Sequence, residues 1–189
     1  TTTLSFTAAD IVAPTLASSS PADDATGVAV NSNIVLTFNE TVQAGTGNIT
    51  LFKSDNTSVE VFDVTTDVTV SGATVTLNPA SDLDSLQGYY VQVASTAVED
   101  TSNNAYAGIS DTTTLSFTAA DVAAPTLASS SPADDATGVA VNSNIVLTFN
   151  ETVQAGTGNI TLFKSDNTSV EVFDVTTDVT VSGATVTLN

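Results

Sequence analysis

Apolar side chains recur at every second position in short runs along this chain. Ile34, Leu36 and Phe38 alternate with Val35, Thr37 and Asn39, Val59 and Val61 with Glu60 and Phe62, and Val75 and Leu77 with Thr74 and Thr76. Tyr89, Val91 and Val93 share one phase, as do Leu115 and Phe117. Residues i and i+2 of an extended chain project to one side, so each run offers a face to a core. The enrichment in Val, Ile, Thr, Phe and Tyr agrees with strands, and no segment sustains a 3.6-residue period. Strands are expected near 15–19, 28–30, 33–39, 48–53, 59–64, 68–71, 74–78, 89–95 and 112–120. Turn formers separate them: Ser20-Pro21, Gly27, Gly45 and Gly47, Asp55-Asn56, Ser71-Gly72 and Gln87-Gly88. The class is all-β, and short strands at this spacing predict a two-sheet sandwich.

The pattern also repeats at long range. Residues 1–78 recur as 112–189, an offset of 111, with Ile11 replaced by Val122 and Val12 by Ala123 as the only differences. Solenoid units run roughly 20–50 residues, so this period is that of a small domain with its own core. Pro14 and Pro125 interrupt any ladder and hold the preceding residue extended, which places the boundaries there. Residues 1–13 then read as the final strand of a preceding repeat plus linker, and 14–121 as a complete module. Residues 122–124 form a short linker, and 125–189 an incomplete second module lacking its final strands. An incomplete module would leave a sheet edge and an apolar face open, unless a longer array or strands from neighbouring chains complete it.

Charge narrows the partners. The chain carries 21 acidic residues against two Lys, a net charge of −19. Such a surface repels nucleic acid and anionic headgroups, attracts divalent cations and keeps crowded modules apart. Cys and His are absent, which excludes disulfides, thiolate metal sites and imidazole bases. No apolar run approaches the length of a membrane span, so membrane insertion is not expected. Paired carboxylates alone could hydrolyse glycosides, but they sit in turns of a small duplicated module, so no enzyme is expected.

The run from Ser20 through Pro21, Gly27, Val28 and Asn31 to Phe38, Asn39 and Glu40 resembles the opening of bacterial Ig-like domains of the Big_5 type. Gly47–Leu51, Tyr89–Val93, Ala97–Ala105 and the closing Thr114–Thr118 fit the same family in order. Asn103 stands where the family often has Gly, and Asn tolerates the left-handed geometry such a turn needs. The resemblance implies tandem Ig-like β-sandwich modules joined by short linkers, in large secreted or surface-attached bacterial proteins. Adhesins and biofilm proteins are among these, and there the modules act as spacers and often bind calcium.

Calcium takes six to eight oxygen ligands, which carboxylates, Asn amides and carbonyls supply without His or Cys. One candidate site is the module junction, with Asp10 or Asp121 near Asp23-Asp24 or Asp134-Asp135 of the following module. Asp23-Asp24 also reads as a simple turn cap. A second candidate is Glu99-Asp100 with Asn103-Asn104, where an Asx-turn explains Asp100 and Asn104 equally well. Tyr89 is expected in the core or in a tyrosine corner. Tyr90 and Tyr106 are candidates for glycan stacking or for packing.

The expected function is a structural extender of a large extracellular protein, cell-surface attached or secreted, with calcium stiffening the junctions. The alternative is a self-assembling repeat of a fibre, sheath or surface layer, completed by strand or edge contacts between chains. Expected partners are identical repeats in the same or adjacent chains, and a surface or glycan ligand held by domains outside this sequence.

Overall fold

The computed structural model describes residues 3–188 and divides the chain into two compact units, residues 1–122 and 123–189. Thr1, Thr2 and Asn189, the outermost residues of the two expected partial modules, lie outside the described residues. Every regular element among the described residues is a β-strand.

Unit 1 contains β1 (Leu16–Ser20), β2 (Ala25–Val28), β3 (Ile34–Phe38), β4 (Val42–Ala44), β5 (Asn48–Lys53) and β6 (Ser58–Asp63). It continues with β7 (Val68–Ser71), β8 (Thr74–Leu77), β9 (Gly88–Val93), β10 (Val98–Asp100) and β11 (Ser116–Ala119). One sheet has the order β1-β3-β8-β7 and the other β2-β11-β9-β5-β6, with a two-stranded β10-β4 ribbon beside them. Pairing is antiparallel except for β11 against β2.

The inward faces follow the two-residue alternation. Ile34, Leu36 and Phe38 of β3 meet Val75 and Leu77 of β8 and, from the other sheet, Ile49, Leu51, Tyr89, Val91 and Phe117. In β6 the inward residue is Phe62, while Val59 and Val61 face out. Three aromatic pairs fix neighbouring strands. Phe38 meets Tyr106 edge-on at 5.2 Å, while Tyr90 stacks on Phe52 at 5.0 Å and Tyr89 on Phe117 at 5.7 Å. The Tyr89 hydroxyl accepts a hydrogen bond from the Asp84 amide at 2.8 Å, a tyrosine-corner-like tie to the preceding loop. The Tyr90 hydroxyl donates to Asn56 at 2.9 Å. Tyr90 and Tyr106 are buried, so their rings serve packing and offer no open face for stacking a sugar.

The strand expected at 28–30 lies earlier, at Ala25–Val28, where it follows β11 in parallel register. The strand expected from 112 begins only at Ser116, because Asp111 gathers the Thr113 and Thr114 amides into a turn. Two strands have no counterpart in the sequence reading, β4 and β10. Both are three residues long and lie in glycine- and asparagine-rich surroundings. Gly45 in this region must lack a side chain, since a Cβ there would stand 2.3 Å from the Thr96 carbonyl.

Unit 2 contains β12 (Leu127–Ser131), β13 (Ile145–Phe149), β14 (Asn159–Phe163), β15 (Ser169–Asp174), β16 (Val179–Ser182) and β17 (Thr185–Leu188). They form one sheet of order β12-β13-β17-β16 and a β14-β15 pair, with a smaller core at Phe173, Val186 and Leu188. Of residues 1–13, expected to be the final strand of a preceding repeat plus linker, the described residues 3–13 form no strand.

Candidate metal centre

The centre is built where β4 and β10 run side by side, with Val42 opposite Asp100 and Gln43 opposite Glu99. Glu40 stands two residues before Val42, so the ladder brings it to the turn that follows Asp100. The segment ahead of Pro14 supplies the third acid, Asp10. Carboxylate oxygens of Asp10, Glu40 and Asp100 all lie within 4.8 Å of one another. Among the described residues this is the one group of three acids so close.

Asp100 is 1% exposed, and its carboxylate is held from within its own turn. Oδ1 accepts the Ser102 and Asn104 amides, both at 2.8 Å, and Oδ2 accepts the Asn104 side-chain amide at 2.7 Å. Burial alone pushes the Asp100 carboxyl up. The hydrogen bonds from the Asn104 side chain and from the Asn104 and Ser102 amides outweigh it and hold the group below the ordinary value. Asn103 completes the turn with φ of 64°, the left-handed geometry expected of it. The Asn104 amide also donates to the Asp10 carbonyl at 3.2 Å, tying the preceding segment to the module body.

The donor set suits a hard cation. It is all oxygen, and oxygens ligating one calcium ion at 2.3–2.6 Å can stand no more than about 5 Å apart. Lys53, the lysine of unit 1, pairs with Asp84 at 2.6 Å and not with the three acids. Asp10, Glu40 and Asp100 would hold calcium here, with Asn104 orienting two of them, and the ion would supply charge neutralisation and a cross-link between linker and body.

The two sites expected from sequence are thus regrouped. Asp10 meets Glu40 and Asp100, not Asp23-Asp24. Asp23 and Asp24 serve instead as a long-range latch on β11, accepting from the Ser116 amide at 2.9 Å and the Ser116 hydroxyl at 2.9 Å. Glu99 bonds Gln43 at 3.0 Å, and Asn103 accepts from the same amide at 3.1 Å, so neither joins the three acids. Asp121 accepts from the Ser85 hydroxyl at 3.0 Å. In unit 2, Asp134 accepts the Asp135 amide at 3.2 Å. Glu40 was missed because nothing near it in sequence is acidic; only the β4–β10 register places it.

The cleft beside β2, β9 and β11, about 370 Å³, is lined by Tyr89, Tyr90, Ser116 and Phe117 and contains one acid, Asp24.

Among solved structures, CopC from Methylosinus trichosporium OB3b is similar at 14% identity and a TM-score of 0.39, over 59% of this chain and 97% of that one. The S-layer protein rSbsC(31-844) is similar at 15% identity and a TM-score of 0.40, over 92% of this chain and 25% of that one. This chain therefore spans about a quarter of that S-layer protein. No curated protein matches it. The family model of the bacterial Ig-like domain, Big_5, matches residues 10–119 and 121–189. With both units covered almost end to end, the chain belongs to the bacterial Ig-like domain family.

Proposed function

We propose that this chain is a spacer segment of an extracellular bacterial surface protein of the adhesin type, and that calcium stiffens it through Asp10, Glu40 and Asp100. Family membership supports an extracellular structural repeat, and the family is typically not enzymatic. One observation carries the calcium reading: Asp10, from the segment ahead of Pro14, reaches the two body acids and is held there by Asn104. A cation on these oxygens would remove their mutual repulsion and fix the entry to the module. The same residue types recur at Asp121 and Glu151. In a tandem array such an entry is the linker from the module before, so its rigidity sets how straight the array stands. Ligand recognition then belongs to domains elsewhere in the protein, and the neighbours of each module are further repeats.

Thermal unfolding in calcium and in sodium chloride of equal ionic strength tests the reading. A site filled to a hundredfold excess over Kd adds about 2.7 kcal/mol. That is roughly a 10 °C rise in Tm for a domain of this size. Equal rises in the two salts would mean screening alone and would remove calcium from the proposal. Small-angle scattering of a version with two complete modules in series tests the spacer half. Stiffening means a larger maximum dimension in calcium than in chelator.

A further inference from the structure

Asp10 and Asp121 are the same residue of the repeat, and unit 1 holds both. Each shows one side of its surroundings. The Asp10 carbonyl accepts the side-chain amide of Asn104 at 3.2 Å, which ties it to the module that follows it. The Asp121 carboxylate accepts the Ser85 hydroxyl at 3.0 Å, which ties it to the module that precedes it. The two bonds use different atoms, a main-chain oxygen in the first and Oδ1 in the second. One aspartate can therefore make both at once. The acids around Asp10 do not compete with this, because a carboxylate has about four lone-pair sites.

The Ser85 bond belongs to a longer grip on the end of the module. The loop ahead of β9 meets residues 119–122 one after another. The Ala119 amide donates to the Gln87 carbonyl at 3.0 Å, the Leu86 amide to the Ala120 carbonyl at 3.3 Å, and the Val122 amide to Ser85 Oγ at 3.0 Å. Ser85 thus donates to Asp121 and accepts from Val122. The loop is itself anchored: the Asp84 amide donates to the Tyr89 hydroxyl at 2.8 Å, and the Asp84 carboxylate pairs with Lys53 at 2.6 Å. Leu86 adopts a φ of 58°, a left-handed conformation unfavourable for a branched side chain. Its side chain is exposed, so hydrogen bonding to the departing chain, not packing, accounts for that geometry.

We infer that this aspartate bridges successive modules of an array: Ser85 of the module before holds its carboxylate, and Asn104 of the module after holds its main-chain oxygen. Ser85 is then a positioning residue of the junction, acting through Asp121. The inference rests on the spacer reading but not on calcium, since none of its bonds involves a cation. Adjacent domains joined by a few residues move relative to one another by default. A bridge that fixes the linker from both sides removes that freedom. Pro125, whose ring fixes φ, stiffens the next step of the chain. A cation on Asp10, Glu40 and Asp100 then adds to a junction that is already ordered.

The test uses the full chain extended after Asn189 by a copy of residues 79–121, so that a complete module stands on either side of the Asp121 junction. Residual dipolar couplings in chelator read the alignment of each module. Support is one common alignment in the unaltered protein, lost on Ser85→Ala and lost again on Asn104→Ala in the appended copy. Couplings within each module should fit the same fold in all three proteins, which separates loss of the bridge from loss of structure. Separate alignments in the unaltered protein overturn the inference. If they merge on adding calcium, the calcium reading stands and the bridge alone fails; if they stay separate, the stiff spacer fails with it. A common alignment that survives Ser85→Ala overturns the bridge. So does one lost on Ser85→Ala but kept on the Asn104 substitution, which would leave Ser85 as a local clamp on the end of its own module.

Discussion

The side-chain amide of Asn104 donates to the Asp100 carboxylate at 2.7 Å and to the main-chain oxygen of Asp10 at 3.2 Å. One amide thereby orients a buried carboxylate and anchors the chain segment that brings the third acid. In metal sites such orienting partners change affinity by roughly 10–100-fold when removed. Asn104→Ala should therefore weaken calcium binding by at least about tenfold in calorimetric titration. It should also loosen residues 10–13, read as faster hydrogen exchange. Unchanged affinity would place the cation elsewhere.

Glu40 allows a test of sign. Three carboxylates within 4.8 Å repel one another without a cation, so Glu40→Gln removes repulsion and a ligand at once. The expected outcome in chelator is a melting temperature equal to or above that of the unaltered chain. In calcium the order reverses, because only the unaltered chain gains from binding. A variant that loses stability in chelator would show that Glu40 is structural.

Phe6 and Phe117 are the same residue of the repeat in two environments, 89% and 3% exposed. Phe117 stacks on Tyr89 and closes the core, so Phe117→Ala should cost about 3–5 kcal/mol in denaturant unfolding. Phe6→Ala should fall within about 0.5 kcal/mol of zero. The contrast holds chemistry and local sequence constant and leaves burial as the only variable.

The strands were legible where the alternation is regular. β3, β5 and β8 fall where the apolar phase puts them, because each is paired on both sides and buries one face. In β6 the pattern offered two faces, and the larger side chain, Phe62, took the core over two valines, a choice periodicity cannot rank. The left-handed Asn103 was readable from residue type alone. The metal centre was legible only in pieces. Asp10, Asp100 and Asn104 stand out as acids and amides in loops, but their grouping depends on the β4–β10 ribbon. Three-residue strands carry too little alternation to be recognised, so Glu40 stayed invisible and Asp10 was matched to Asp23-Asp24.

Asp111 gives the acid behaviour a specific origin. The Thr114 hydroxyl, then the Thr113 and Thr114 amides, hold its carboxyl down at about 2 from an ordinary 3.8. A lowered folded-state value means stability that is present in full above the unfolded value and lost as pH falls through the folded one. The contribution is therefore complete above pH 3.8 and disappears on the way to about 2. Asp111→Asn should lower Tm at neutral pH, where the turn ahead of β11 loses its charged acceptor. Its curve should converge with that of the unaltered chain near pH 2. Parallel curves over that range would remove Asp111 from the acid transition.

The two units should unfold separately, since identical residues carry different loads in each. Leu36 is fully buried between two sheets, whereas its copy Leu147 is half-buried on a face left open. Leu→Ala in a closed core costs about 2–5 kcal/mol, and the cost falls where the site is already in contact with water. Calorimetry should resolve a lower transition for residues 123–189 and a higher one for residues 1–122. Leu36→Ala should move only the higher transition, and Leu147→Ala only the lower one and by less than half as much. A single cooperative transition shifted equally by both substitutions would show that the units share one core, against the partition of their buried residues into two separate clusters.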